Sequence, residues 1–153
     1  MPYEAPQGRR VNVVGALAPY APGGPRLLFE TRRKREGRYD APAHLAFIDQ
    51  IAAGSRAARR PCIVVLDNYS VHHSQVVKAA LPALTDANIH FWYLPPYSPE
   101  LNAIEPVWRQ IKYQDLPVRS HPTAHALQAA VETALRDRAT RLRESTHDLP
   151  RRT

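Results

Sequence analysis

Two acids of this chain, Asp67 and Glu105, have surroundings that point to chemistry. Asp67 ends the apolar run CIVVLD (62–67), and Asn68 follows it. A carboxylate at the carboxyl end of a buried strand meets solvent where open α/β sheets gather their ligands, and it is well placed to hold a cation. Glu105 stands in YLPPYSPELNAIEPVW (93–108), where Pro95, Pro96, Pro99 and Pro106 stiffen the chain. Positions 68 to 104 separate the two acids, and one helix and one strand fill that gap. If that strand lies beside the Asp67 strand, the helix carrying Glu105 starts at the same sheet end and the carboxylates converge. Hard cations such as Mg²⁺ take oxygen ligands, and are often held by one or two carboxylates together with substrate phosphates.

Each acid also has a local explanation. Asp-Asn pairs are common in turns. Asn102 as a cap with Glu105 at the third helical position makes a capping box, and on local rules alone that is the better account of Glu105. His72 and His73 follow Asp67 closely. Adjacent histidines on a helix point about 100° apart, so they form no two-ligand zinc face. One of them is expected to orient Asp67 or contact phosphate, the other to lie on the surface. Glu100 reads as a solvated loop acid, Trp108 as a core anchor, and Trp92 as core rather than a base-stacking surface. Pro96-Tyr97-Ser98-Pro99 is also a P-x-x-P sequence of the kind that polyproline-binding modules take. Because it joins a strand to a helix, it is expected to be packed rather than free.

These residues need a scaffold, and the 153-residue chain is long enough for one domain with a core. VNVVGAL (11–17) and RLLFETRR (26–33) read as a β-hairpin around the Pro- and Gly-rich APYAPGGP, followed by a loop at 36–42. HLAFIDQIAAG (44–54) reads as a helix with Leu45, Ile48 and Ile51 on one face and Gly54 as its stop. CIVVLD reads as a central strand buried on both faces. Ser70 is placed to cap a helix over 71–84, with Val76, Val77, Ala80, Leu81 and Leu84 inward. IHFWYL (89–94) is a further strand, and a helix over about 103–114 follows the proline loop. Ser120 or Thr123 opens a last helix on which Leu127, Val131 and Leu135 repeat. This order, β-β-α-β-α-β-α-α, predicts an α/β fold: a mixed sheet with flanking helices, its later strands parallel. The expected organisation is an irregular segment over 1–10, one domain over 11–144 and a loose basic tail over 145–153.

Composition narrows the partners. The net charge is +7, with basic runs such as Arg32-Arg33-Lys34-Arg35, Arg59-Arg60 and Arg151-Arg152. Excess positive charge favours polyanions such as nucleic acid. The single cysteine, Cys62, rules out an internal disulfide and a multi-cysteine zinc site, and it reads as a small core residue. No apolar run is long enough to span a membrane, and the first ten residues do not resemble a signal peptide. A cytoplasmic protein is the expectation.

VVLDNYSVHHS and FWYLPPYSPELNAIEPVWRQIK together resemble the catalytic core of bacterial insertion-sequence transposases of the insertion-sequence-630 type, in the mariner-like superfamily. Asp67, Asn68, His72, Pro95, Pro96, Tyr97, Ser98, Pro99, Leu101, Asn102, Ile104, Glu105 and Trp108 match that pattern, and the likeness spans roughly residues 9–115. The resemblance implies a ribonuclease-H-like sheet and a triad of acids binding two Mg²⁺ or Mn²⁺ ions. Asp67 would be the second acid and Glu105 the third, supported by Asn68, His72 and Asn102. It implies metal-assisted DNA strand cleavage and strand transfer, with transposon ends and target DNA as partners. Arg32, Arg33, Lys34, Arg35 and Lys112 would lie along the DNA. Two positions depart from the pattern. Ala103 stands where the family carries proline, and no residue matches the first acid, whose strand the family places before VNVVGAL. The chain is therefore expected to be a C-terminal part of such an enzyme that lacks the first strand. Alone it would be inactive, or dependent on a separate N-terminal chain. Its unpaired strand edges would make it marginally folded or self-associating. The rival expectations are a non-catalytic DNA-binding remnant and an interaction module that presents the proline loop.

Overall fold

The computed structural model describes residues 10–116 and 121–145. The readings made for residues 1–9, for residues 146–153 and for Ser120 as a cap lie outside them. The strands are β1 (Val11–Ala18), β2 (Arg26–Arg33), β3 (Cys62–Leu66) and β4 (Ile89–Tyr93). The α-helices are α1 (Ala41–Ala57), α2 (Gln75–Asp86), α3 (Glu105–Gln110) and α4 (Ala124–Glu144). The α/β class is the one expected. The strands pair two by two: β1 runs antiparallel to β2, and β3 runs parallel to β4.

The described residues divide into two compact units, one made of residues 10–38, 106–116 and 121–145 and the other of residues 39–105. In the first, α4 packs on β2. Thr123, one of the two caps read from the sequence, caps α4 by accepting from the Ala126 amide at 3.0 Å. Val131 and Leu135 are buried, with Leu127 at the edge of the same face. Gln128 is buried as well, and its amide donates to the Thr31 hydroxyl at 3.0 Å while that hydroxyl donates to Glu132 at 2.5 Å. The Gln128 amide and the Thr31 hydroxyl are thus satisfied across the packing. A π-helical turn, Ile111–Asp115, extends α3, so the helix expected over 103–114 starts two residues later and changes its winding.

The second unit is built on the parallel pair. Cys62, Val64, Leu66 and Ile89 form its core with Ile48 and Ala52 of α1. Burial alternates along β3, and Ile63 and Val65 are exposed. The strand is therefore covered on one face, and the double burial read from the unbroken apolar run is corrected. An uninterrupted Val/Ile run suits either case, so composition alone could not distinguish them. Trp92, paired with Val65, is 68% exposed, which corrects its assignment to the core.

Two helix starts also differ from expectation. Asp40 caps α1 by accepting from the Ala43 amide at 3.0 Å, and Pro42 sits in the first turn, so α1 begins three residues before His44. It runs past Gly54 to Ala57, because a glycine weakens a helix without ending it. Ser70 begins a short 3₁₀ turn, Ser70–His73, and Ser74 caps α2 instead, accepting from the Val77 amide at 3.3 Å. Val77 is fully buried, whereas Val76 is exposed.

Candidate active site

The backbone of the second unit brings the two acids together. Leu66 pairs with Tyr93 at the end of the ladder, and the Leu94 amide adds one more bond to the Leu66 carbonyl at 2.8 Å. Pro95 has no N–H to continue the ladder, so pairing ends there and the chain turns away. The same step leaves Asp67 and Asn68 beside the start of the proline loop. The Asn68 amide donates to the Leu94 carbonyl at 2.9 Å and fastens the two strand ends.

The loop is held by its backbone rather than by burial. Pro99–Leu101 form a 3₁₀ turn, with Leu101 and Asn102 amides bonded to the Ser98 and Pro99 carbonyls at 3.1 and 3.0 Å. The Ser98 hydroxyl donates to the Pro96 carbonyl at 3.2 Å. Tyr97 has φ 56°, a left-handed backbone that bulky residues rarely adopt, and its side chain is fully exposed. Pro95, Pro96, Pro99 and Glu100 are exposed too. The expectation of a packed loop is corrected: this loop is bonded and outward-facing.

Glu105 is the first residue of α3, not its third. The bond that joins it to Asn102 runs from the Glu105 amide to the Asn102 carbonyl at 3.0 Å. The capping box is therefore replaced by a backbone turn, and the Glu105 carboxylate is not committed to the Asn102 amide. Its charge at a helix start is favourable. Asp67, Asn68, Asn102 and Glu105 line one open pocket of about 150 Å³, together with Leu94, Pro95, Tyr97, Ser98 and Pro99. Two carboxylates and two side-chain amide oxygens are hard donors of the type that Mg²⁺ and Mn²⁺ take, so the donor set fits such an ion. Among the described residues, no group of three or more His, Cys, Asp or Glu side chains comes together to hold a metal.

Asp67 is oriented from its far side. Its Oδ1 accepts from the Tyr69 amide at 3.0 Å and lies 3.2 Å from His72 Nδ1. The same nitrogen is 3.1 Å from the Asp67 carbonyl. Both neighbours are acceptors, which assigns the proton to Nδ1. Tyr93 donates its hydroxyl to the His72 carbonyl at 2.9 Å, and burial raises the Tyr93 phenol so that it remains a donor at neutral pH. His73 is exposed, stacks on Tyr93 with ring centroids 4.5 Å apart, and places Nε2 3.3 Å from Asn68 Oδ1. The division into one orienting and one surface histidine is the one the sequence led us to expect.

Sequence reasoning missed His44 and Tyr39. His44 is 2% exposed, and its Nδ1 lies 3.0 Å from the Tyr39 hydroxyl. Burial, with the neighbouring His72 adding to it, pushes the His44 imidazole down to about 4. The signal was present: His44, Phe47, Ile48 and Ile51 follow helical spacing, which puts an imidazole on the buried stripe.

The residues read as DNA contacts lie in the other unit. Arg32 pairs with Glu30 at 2.6 Å and Arg33 with Glu36 at 3.3 Å. Lys34, Arg35 and Lys112 are exposed, and the Lys112 ammonium sits 5.3 Å from the Tyr113 ring centre. Trp108 is half-buried. Among the described residues, no helix is long and apolar enough to cross a membrane.

A family model described as DDE superfamily endonuclease matches residues 3–128. No curated protein matches the chain.

Proposed function

This chain belongs to the DDE endonuclease superfamily, and on that premise we propose that it is part of an insertion-sequence transposase of the mariner-like kind, acting on the phosphodiester backbone of DNA. The α/β architecture with its two small sheets is in keeping with a ribonuclease-H-like nuclease domain. The observation that carries the proposal is the meeting of Asp67 and Glu105 in one open pocket at the carboxyl end of the parallel pair.

In this reading Asp67 and Glu105 hold Mg²⁺ or Mn²⁺ as the second and third acids of the family's triad. When bound, such an ion supplies Lewis-acid polarisation of the phosphoryl oxygens and offsets the repulsion between DNA and the two carboxylates. The chain's own residues do the positioning. The Tyr69 amide holds the Asp67 carboxylate, His72 bonds the Asp67 carbonyl with its ring 3.2 Å from the carboxylate, Asn68 ties the Asp67 strand end to Leu94, and the bonded proline loop sets where Glu105 begins its helix. The open side of the pocket leaves room for a phosphate. Lys34, Arg35 and Lys112 are the exposed cations assigned to DNA phosphates; Arg32 and Arg33 would exchange their glutamate partners for phosphate on binding.

A strand-cleavage assay on transposon-end DNA with Mg²⁺ or Mn²⁺ tests this reading. Cleavage that depends on Asp67 and Glu105 is the expected result. Robust cleavage that survives Asp67→Ala would overturn the site. Self-association is checked by light scattering; a monomer with a sharp, high-temperature melt would remove it.

A further inference from the structure

His44 occupies a position where an apolar ring would be simpler. Its side chain is almost wholly buried, and its Nε2 has no hydrogen-bond partner. An unpartnered buried nitrogen costs stability that a phenyl ring of similar shape would not. What the imidazole does have is a tether and a neighbour. Nδ1 is bonded to the Tyr39 hydroxyl at 3.0 Å. The ring lies against His72, with centroids 4.6 Å apart and planes 31° from parallel. Phe91 and the edge of Tyr39 close in around it at 6.2 and 5.9 Å.

His72 has two ring orientations open to it, related by a flip that exchanges Nδ1 with a carbon. Only one turns Nδ1 to Asp67. Its own backbone is fastened by Tyr93, and Tyr69 meets its ring edge-on at 5.9 Å, but neither contact grips the face of the ring as His44 does. We propose that His44 is a positioning residue: tethered by Tyr39, its ring holds His72 in the orientation that presents Nδ1 to Asp67. The tether explains why histidine serves here, since phenylalanine could pack but could not be fixed in rotation by a hydroxyl. The consequence for metal binding rests on the proposed role of Asp67; the effect on His72 does not.

The test uses the full chain labelled with ¹⁵N, without metal, at about pH 8, where a free imidazole is neutral. Long-range ¹H–¹⁵N correlation reports which nitrogen of His72 carries the proton. The wild-type chain is expected to show a single Nδ1–H form. In His44→Ala the two nitrogens of His72 should move toward averaged shifts. Tyr39→Phe, which keeps the ring and removes the hydroxyl that bonds His44, should move them the same way by a smaller amount. An unchanged Nδ1–H form in folded His44→Ala overturns the inference; if that variant does not fold, an unchanged form in Tyr39→Phe overturns it. Titration with Mn²⁺ alone then separates this inference from the proposed function. A His72 change accompanied by roughly tenfold weaker Mn²⁺ binding supports both. A wild-type chain that binds no Mn²⁺ counts against the metal reading of Asp67 and leaves the His72 result to judge His44.

Discussion

His72 Nδ1 lies 3.2 Å from the Asp67 carboxylate and 3.1 Å from the carbonyl of the same residue. The N–H is hydrogen-bonded to the backbone carbonyl of the proposed metal ligand, and the ring lies at ion-pair distance from its carboxylate. Groups that orient a ligand in this way usually change metal affinity or activity by about 10- to 100-fold when removed. His72→Ala is expected to lower Mn²⁺ affinity and metal-dependent cleavage within that range while leaving the fold intact. Calorimetric Mn²⁺ titration alongside a cleavage assay checks this. Equal Mn²⁺ affinity in the two proteins would show that His72 does not position Asp67.

Glu105 and Asn102 separate a cap from a ligand. Their bond runs between backbone atoms, so Asn102→Ala should cost less than about 0.5 kcal/mol, against the ~1 kcal/mol typical of a lost side-chain cap. Glu105→Gln removes one charge from a helix start and should cost about 0.3–1 kcal/mol. Its effect on metal binding should be far larger than its effect on stability. Urea denaturation measures the first and Mn²⁺ titration the second.

His44 should make the protein sensitive to mild acid. Its imidazole is held down at about 4 by burial and by His72, with Tyr39 and Phe91 completing its surroundings. Between the ordinary imidazole value and about 4, the unfolded chain takes up a proton that the folded chain refuses. Stability is therefore full above the ordinary value and falls as pH drops through this window, by as much as about 3 kcal/mol. His44→Phe should flatten that part of the profile and leave stability at neutral pH unchanged or slightly higher. Melting curves for both proteins across the window decide the matter. Parallel profiles would show that another group is responsible.

Asp115 and Arg138 form a mostly buried, two-bond ion pair in the first unit. Two parallel bonds of 2.8 and 2.5 Å join them, and both side chains are mostly buried. Arg138, with Arg141 adding to it, holds the Asp115 carboxyl below the usual carboxylate range. The pair's contribution is therefore present at neutral pH and is lost only in acid, as pH falls through the depressed value. Arg138→Ala removes both bonds, leaves the carboxylate only the exposed Arg141 at 3.8 Å as an ion-pair partner, and should cost about 2–4 kcal/mol at neutral pH. A loss under about 0.5 kcal/mol in urea denaturation would mean that solvent already carries that charge.

Much of this protein was legible in its sequence. The hairpin, the parallel strand positions and the Thr123 cap follow from alternation, turn residues and capping chemistry, which act over a few residues. Asp67 and Glu105 could be named as candidates because the motif that carries the family resemblance is a property of the chain, whereas local rules alone favoured a cap for Glu105. Three things needed the fold. The unbroken apolar run of β3 does not say which of its faces is covered, and only the packing of α1 decided it. The order Ser70 to Ser74 offers two caps, and the 3₁₀ turn chose the second, which is what carries His72 back to Asp67. His44 became visible last, because its meaning depends on a ring 28 positions away that touches it only when α1 lies against the end of β3. Local rules name the residues able to do chemistry; through-space contact decides which of them hold one another in place.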